Sequence, residues 1–592
     1  MFAAGLAAGA ITMALVASGC SSGSGGHDSP TGAAEDSEAS PTAPAQPPPP
    51  TSQVRFHDVA ADVGLDFRDG AFHWGVTGDP VAAMGRGLCW IDYDGDGWMD
   101  LYVVNSYAQN EKARWDRQDG LPRNALFHNV HGHFVDVSAK SGTDVATRGT
   151  GCVAADLDLD GSTDLYVTSD RVGVLLWNRG DGTFSEGAVA AGVDAVGWYA
   201  GAAVGDVDGN GWPDLFLAGY ANVGNRIPNA TQGFPNTHTG VRDLLYLNQG
   251  TADSSDERSM FREVGRDAGL EVANFEYGLG ALLSDLDHDA DLDLYVANDT
   301  KPNRLYKNVA WPGGAEADPA GLGFRFEEMA GRAGVADPNA GMGIAEGDYD
   351  GDGRDDLFVT NARGQVHSLY HGQRSDKATP SFADVRADVG ADFGTATGWG
   401  VTWADLDNDT DLDLVVADGA IPVTDLAADA QPMQAFENRT AQGDPGTFAD
   451  DTRQRGLDAV GPLLGRGSAA ADFDNDGDVD IAVATVGGPL CLLRNDGAQG
   501  HWLEVSLPVP TPGTRIIAVL PDGRKLGREL HAGASYLSSD DPRAHFGLGA
   551  ARRVSRLEIR LPDGRKRVLR DVSADQVLSL DSPRPRPPES DR

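Results

Sequence analysis

Lysine, cysteine and aromatic side chains are scarce in this 592-residue chain: Lys occurs 7 times, Cys 4 times, and Phe, Trp and Tyr make up 7% of residues. Positive charge is outnumbered, with 47 Lys and Arg against 89 Asp and Glu and a formal balance of -42. A nucleic-acid-binding or anionic-membrane surface spread over such a chain would meet strong repulsion, so nucleic acid is not expected as a partner. Beyond Cys20 only Cys89, Cys152 and Cys491 remain, so no disulfide framework exists and at most one pair can form. All three lie in apolar strand-like runs, where a buried free thiol acts as a small hydrophobe. No Gly-x-Ser-x-Gly, His-Glu-x-x-His, phosphate loop or dinucleotide fingerprint occurs, so catalysis has no visible foothold. Glycine is abundant at 76 residues and hydrophobic residues reach 41%, a turn-rich but core-forming composition.

The long uncharged run is N-terminal. Residues 2–19 carry no charge and end in small residues, followed by Cys20 and a polar Ser/Gly run. This reads as a signal peptide, and Ala17-Ser18-Gly19-Cys20 resembles a bacterial lipobox that would make Cys20 the lipid-bearing first residue. The expected location is extracytoplasmic, lipid-anchored at the cell surface with membrane contact only through that anchor, or secreted if the segment is a plain signal with Cys20 incidental. Residues 21–53 are rich in Ser, Gly, Pro and acid and cannot bury a core, so they read as a disordered tether.

One nine-residue pattern, D-x-D-x-[DN]-x-x-x-D, then recurs seven times. With position 7 included, the copies are Asp92/Asp94/Asp96/Trp98/Asp100, Asp156/Asp158/Asp160/Ser162/Asp164, Asp206/Asp208/Asn210/Trp212/Asp214 and Asp285/Asp287/Asp289/Asp291/Asp293. The last three are Asp348/Asp350/Asp352/Arg354/Asp356, Asp405/Asp407/Asp409/Asp411/Asp413 and Asp472/Asp474/Asp476/Asp478/Asp480. Start-to-start spacings of 64, 50, 79, 63, 57 and 67 match blade-sized repeats. Hard cations such as Ca²⁺ want six to eight oxygens, which alternate residues of a tight loop can supply, with position 7 lending its backbone oxygen. The windows hold 31 of the 89 acids, a concentration that up to seven structural calcium ions would relieve in part, bringing the formal balance from -42 to -28. Position 6 is Gly in five copies, as a sharp turn with positive φ requires, but Ala290 and Thr410 stand there in the fourth and sixth, which should be looser or strained. An EF-hand needs Glu at position 12 and a following helix, whereas here Val or Leu stands at that position within a strand-like run.

Each repeat reads strand, acidic loop, strand, turn, strand, turn, strand, which makes one four-stranded blade. The last repeat lacks its final Phe-x-Asp-Val segment, and Val54-Arg-Phe-His-Asp-Val-Ala stands unpartnered ahead of the first, so the N-terminal strand should complete the last blade. The repeats resemble FG-GAP/VCBS repeats, the calcium-loop blades of integrin α-chain heads. From His501-Trp-Leu-Glu-Val to Asp575-Gln-Val-Leu the chain resembles an ASPIC/UnbV domain, and the two together resemble the cartilage acidic protein family over about residues 54–581. The implied fold class is all-β: a seven-bladed β-propeller over 54–497, a small β-domain over 498–581 and a disordered tail over 582–592. Residues from 497 onward carry a net charge of +4, so this basic module should dock on its own acidic propeller or face an acidic partner.

His128, His131 and His133 flank a Gly-containing hairpin turn and read as turn residues, as does the Arg179-Gly180-Asp181 tripeptide. Insertions at 106–122 and 220–241 exceed blade turns and carry polar and aromatic groups, so they are the candidate ligand surfaces. The expected function is binding or adhesion at the cell surface, toward a protein or glycan. The alternative, implied by the UnbV resemblance, is an accessory or catalytic role in extracytoplasmic secondary metabolism.

Overall fold

The computed structural model describes residues 55–118, 120–250, 260–270, 276–374 and 379–580. Cys20, the 21–53 segment and the 582–592 tail lie outside the described residues. The fold is all-β, with short helical turns only. Seven four-stranded antiparallel sheets account for residues 55–496. They are numbered here by their acidic loops, each of which joins a sheet's first strand to its second. The first strands are Leu88–Ile91, Gly149–Ala155, Tyr199–Gly205, Gly278–Ser284, Ile344–Gly347, Gly398–Ala404 and Gly465–Ala471. Each lies beside the first strand of the next sheet, and that of sheet 7 lies beside that of sheet 1. This arrangement is consistent with a β-propeller.

The second strands, such as Asp100–Val103 and Asp293–Asn298, are buried along their whole length and carry the β-branched and aromatic residues that pleated, two-sided burial favours. Apolar side chains of neighbouring sheets interleave, as where Val153 and Leu175 of sheet 2 meet Val204 and Leu215 of sheet 3. Sheet 7 takes its outer strand from the N-terminal side: Arg55–Asp58 pairs antiparallel with Cys491–Asp496, Phe56 opposite Asn495. The sequence expected that closure. The single pair that the sequence left room for is formed: Cys89 of sheet 1 and Cys152 of sheet 2 make a disulfide, and among the described residues only Cys491 is free, and it is buried. The two cysteines are 63 residues apart in sequence and meet only because their first strands are neighbours.

Residues 501–580 form two further sheets. One orders its strands Lys525–Glu529, Arg515–Val519, Arg553–Arg560 and Lys566–Ser573, and the other sets His501–Ser506 between Ala544–Gly549 and Val577–Ser579. Both Pro-Asp-Gly-Arg-Lys motifs turn hairpins, with φ of +96° at Gly523 and +80° at Gly564. The segment His531–Asp541 between these strands runs among the seven first strands and hydrogen-bonds every one of them. Leu537 O accepts from Cys152 N (3.2 Å), Ala532 O from Val204 N (2.9 Å), and Ser535 N donates to Ile344 O (2.7 Å). Ser539 pairs with Leu88 and Trp90, Asp541 N donates to Ala470 O, Ser535 Oγ accepts from Val401 N, and His531 Nδ1 lies 3.3 Å from Leu283 O. Glycine makes room for it: a Cβ at Gly87 would lie 1.6 Å from Leu537 O.

Candidate metal centres

Each acidic loop enters its second strand at position 9, so Asp100, Asp164, Asp214, Asp293, Asp356, Asp413 and Asp480 open those strands and are buried. Their Oδ1 atoms accept an N–H from the end of the third strand, at 2.7–2.9 Å: Asn129, Asn178, Asn248, Asn308, Gly372, Asn438 and Asn495. Their Oδ2 atoms accept the N–H of position 2 in loops 1, 2, 3, 5 and 7, from Tyr93, Leu157, Val207, Tyr349 and Phe473.

Position 1 is held by the loop's own turn. The N–H groups of positions 5 and 6 bond the two oxygens of Asp92, Asp156, Asp206, Asp348, Asp405 and Asp472, as in Gly97 to Asp92 at 3.1 Å and Gly353 to Asp348 at 2.9 Å. Aiming both N–H groups at one carboxylate requires positive φ at position 6: +86° at Gly97, +97° at Gly161, +88° at Gly211, +86° at Gly353 and +93° at Gly477. Ala290 (+77°) and Thr410 (+97°) adopt the same turn against the preference of an L side chain, which is the strain the sequence anticipated. Position 5 accepts the N–H of position 7 in all seven loops, as in Trp98 to Asp96 and Arg354 to Asp352. Only the position-7 backbone is used there, so its side chain is free to vary.

The result is a set of converging carboxylates. One oxygen each from Asp92, Asp94 and Asp96, from Asp156, Asp158 and Asp164, and from Asp206, Asp208 and Asp214 lie within 4.8 Å of one another. Asp160 and Asn210, at position 5, and the backbones of Ser162 and Trp212, at position 7, serve the same two turns. Asp160 Oδ1 accepts the Ser162 N–H at 2.8 Å, so this carboxylate braces the loop, and Ser162 joins in through its backbone. Asn210 is an uncharged amide whose Oδ1 accepts the Trp212 N–H at 2.7 Å and whose Nδ2 donates to Asn248 O at 3.0 Å. The Trp212 indole packs on the turn at Gly250, where a Cβ would come within 2.8 Å of the ring.

Burial first, and like charges beside them, push the converging acids up: Asp100 to about 9, Asp156, Asp348 and Asp472 to about 7, Asp206 to about 6. In loop 7 Asp474 Oδ1 is buried with no hydrogen-bond partner. An all-oxygen set with surplus negative charge and an unused buried acceptor fits a hard divalent cation such as calcium better than zinc, which prefers nitrogen and sulfur.

Two histidines face loops. His128 Nδ1 lies 3.0 Å from Asp100 and 3.7 Å from Asp94, and His371 Nδ1 lies 3.1 Å from Asp356 and 3.6 Å from Asp350. His131 sits in the hairpin turn against Trp98, as the sequence implied, but His128 belongs to the surroundings of loop 1. The asparagines that end the third strands were missed as a class. Besides binding position 9, their Nδ2 groups donate to the position-2 carbonyl of the preceding loop: Asn178 to Tyr93, Asn248 to Leu157, Asn308 to Val207, Asn438 to Tyr349, Asn495 to Leu406, and Asn129 back to Phe473 of loop 7. Only sheet 5, with Gly372 at that place, lacks this staple among the described residues. The available signal was the recurrence of Asn at the same place in the third strand-like run of six repeats, at varying distances from the loop.

The C-terminal β-segment lies over the loop side of the sheets. Arg515 forms a two-pronged ion pair with Asp355 (2.6 and 2.8 Å), Arg524 Nη1 donates to Thr410 Oγ1 at 2.7 Å, and His545 Nε2 is 3.0 Å from Gly477 O. Of the two readings of its basic balance, docking on its own sheets is the one present. Arg179-Gly180-Asp181 is a turn between Val174–Asn178 and Phe184–Glu186. The 220–241 insertion folds as the pair Ala221–Arg226 and His238–Gly240, and 106–122 carries the short turns Gln109–Glu111 and Lys112–Trp115. Both insertions follow second strands, so they stand at the end of the sheets opposite the loops.

Comparison with known proteins agrees with the repeat structure. The FG-GAP-like repeat model matches residues 92–167, 156–217 and 348–416, and the ASPIC and UnbV model matches residues 510–587. Cartilage acidic protein 1 of Homo sapiens is 27% identical over 527 residues, covering 84% of this chain and 71% of the relative. The Xenopus tropicalis protein of that name is 24% identical, covering 84% and 73%. The chain is thus similar to FG-GAP-like repeats and to the ASPIC and UnbV model over these residues, and to cartilage acidic protein 1 over most of its length.

Proposed function

We propose that the seven sheets are the blades of one closed propeller whose acidic loops hold structural calcium, and that the protein acts outside the cytoplasm in binding or adhesion at the cell surface. The observation that carries this reading is the repeated cup of amide-held carboxylates, one per sheet, with acids raised by burial that a cation would keep ionised. Closure is supported by the first strands neighbouring one another all round and by the Asn129 bond from sheet 1 to loop 7. The Cys89–Cys152 disulfide favours an oxidising compartment, and lipidation at Cys20 would anchor the chain there.

With the loop side occupied by the C-terminal segment, the ligand surface falls on the opposite side. There a depression of about 640 Å³ is lined by Pro80, Gln109, Asn110, Arg148, Arg171 and Val223, which brings both insertions to one place. Its mixture of amides, guanidinium groups, the Asp79 and Asp170 carboxylates paired with Arg148, and apolar side chains suits a protein or glycan. Alanine replacement of Gln109, Asn110 and Arg171 should abolish retention on a glycan array or by a surface-protein partner, and unchanged binding would refute this placement. The metabolic reading draws on the buried cavity of about 150 Å³ lined by Glu346, Arg528, His531 and Asp540, where His531 Nε2 sits 2.6 Å from Glu346. Turnover of a small molecule lost in His531→Gln, with binding at the insertions intact, would favour it.

A further inference from the structure

The seven loops are not equivalent. Loops 4 and 6 lack the position-6 glycine, and they are also the two in which, among the described residues, no position-2 amide bonds the position-9 carboxylate. A third difference coincides with these. In loop 4 the Lys307 ammonium bonds Asp287 and lies 2.7 Å from Asp289, at positions 3 and 5. In loop 6 the fully buried Arg455 places Nη2 2.9 Å from Asp413 and 4.0 Å from Asp407, at positions 9 and 3, while its Nε bonds Asp451. The two cations come from different elements, Lys307 from the third strand and Arg455 from the turn after the fourth, so one repeat-wide substitution does not account for both.

We propose that loops 4 and 6 are neutralised by the protein's own Lys307 and Arg455 in place of metal, so that five of the seven loops, 1, 2, 3, 5 and 7, take calcium. The inference rests on the calcium reading above and refines it. A divalent ion in loop 4 or 6 would have to displace a fixed positive charge from the carboxylates it needs, and in loop 6 that charge is sealed in the core.

Other basic groups near the loops do not act in this way. Among the loop carboxylates Arg354 touches only Asp352, at position 5, from a side chain that is 32% exposed and whose Nε donates to Gly372 O at 2.6 Å. Arg543 donates to the Asp472 carbonyl, not its carboxylate, and Arg494 pairs with Asp496. Loop 4 otherwise keeps its donors: Asp285 Oδ1, Asp287 Oδ1 and Asp293 Oδ2 are buried with no hydrogen-bond partner. Lysine is what bars the ion there.

The test is calcium stoichiometry by atomic emission on the full chain, loaded with Ca²⁺ and passed through gel filtration. Wild type should carry five ions and Lys307→Met six, while Lys307→Arg stays at five. Asp289→Asn in loop 4 should leave the count at five, and Asp158→Asn in loop 2 should lower it to four, so the result does not depend on Lys307→Met folding. Seven ions in wild type, or a loss on Asp289→Asn, would overturn the inference and leave calcium binding intact. A wild type without bound calcium would overturn the calcium reading itself.

Discussion

The ring of sheets and the C-terminal segment are held by opposite kinds of contact. In the ring the same short-range devices recur: a carboxylate cup closed by its own amides, and an asparagine that reaches one sheet back. Each such bond spans neighbours, so stability is approximately a sum of local and nearest-neighbour terms, as in repeat proteins generally. The C-terminal segment occurs once. Its stretch His531–Asp541 touches all seven first strands through bonds that share no pattern, and fully buried Tyr536 donates to Met84 O at 3.2 Å. Repetition therefore builds the seven sheets, while a single non-repeating segment ties their first strands together.

The largest expected effect lies on the ring side. An ion bound only by the folded state stabilises it by about 2.7 kcal/mol when present at 100 times its Kd, and several loops act together. Calcium-free protein should therefore show a much lower thermal midpoint than calcium-loaded protein at pH 8. The sign with pH follows from the raised carboxylates. Groups such as Asp100 (about 9) and Asp156 (about 7) stabilise the metal-free fold below the ordinary value of 3.8, and that stability is lost as pH rises through the raised values. Calcium competes with those protons, so the gap between loaded and calcium-free protein should narrow from pH 8 to pH 5. A gap independent of pH would break the account of the cups.

On the other side of the comparison, Tyr536→Ala should cost about 3–5 kcal/mol in chemical denaturation, the range for emptying a large buried side chain. It should do so equally with and without calcium, because Tyr536 touches no loop. A loss that vanishes in calcium-free protein would mean the two regions are not separable. The Cys89→Ser, Cys152→Ser double variant should lose about 2–4 kcal/mol, since it removes the covalent link between sheets 1 and 2. The smallest effect belongs to a single staple. Asn178→Ala leaves the Tyr93 and Thr163 carbonyls unbonded and should cost about 1–3 kcal/mol, detectable as local hydrogen exchange between sheets 1 and 2 before global unfolding.

Much of the ring was legible because its signals are local. The nine-residue spacing, the glycine at position 6 and the apolar run at position 12 each depend on residues within one turn, and the structure places a loop and a second strand at each. Spacing alone did not show that one carboxylate can both converge on its neighbours and brace the turn, as Asp96 does, because the bracing N–H comes from the folded loop. The N-terminal strand was also legible, as a segment left over at one end and missing at the other. The asparagine staple was visible as a recurrence, but its meaning was not, since its partner lies in the preceding repeat.

What the sequence determined by itself was the repeating unit, the number of its copies and the chemistry of its loops, because alternation, turn preference and ligand spacing act within a few residues. What only the tertiary structure decided was which distant side chains meet. Cys89 and Cys152 pair because two first strands are neighbours, Lys307 and Arg455 enter loops whose acids lie 18 or more residues earlier, and His531–Asp541 finds seven strands at once. Such meetings are set by closure of the whole chain, and no spacing along the sequence encodes them.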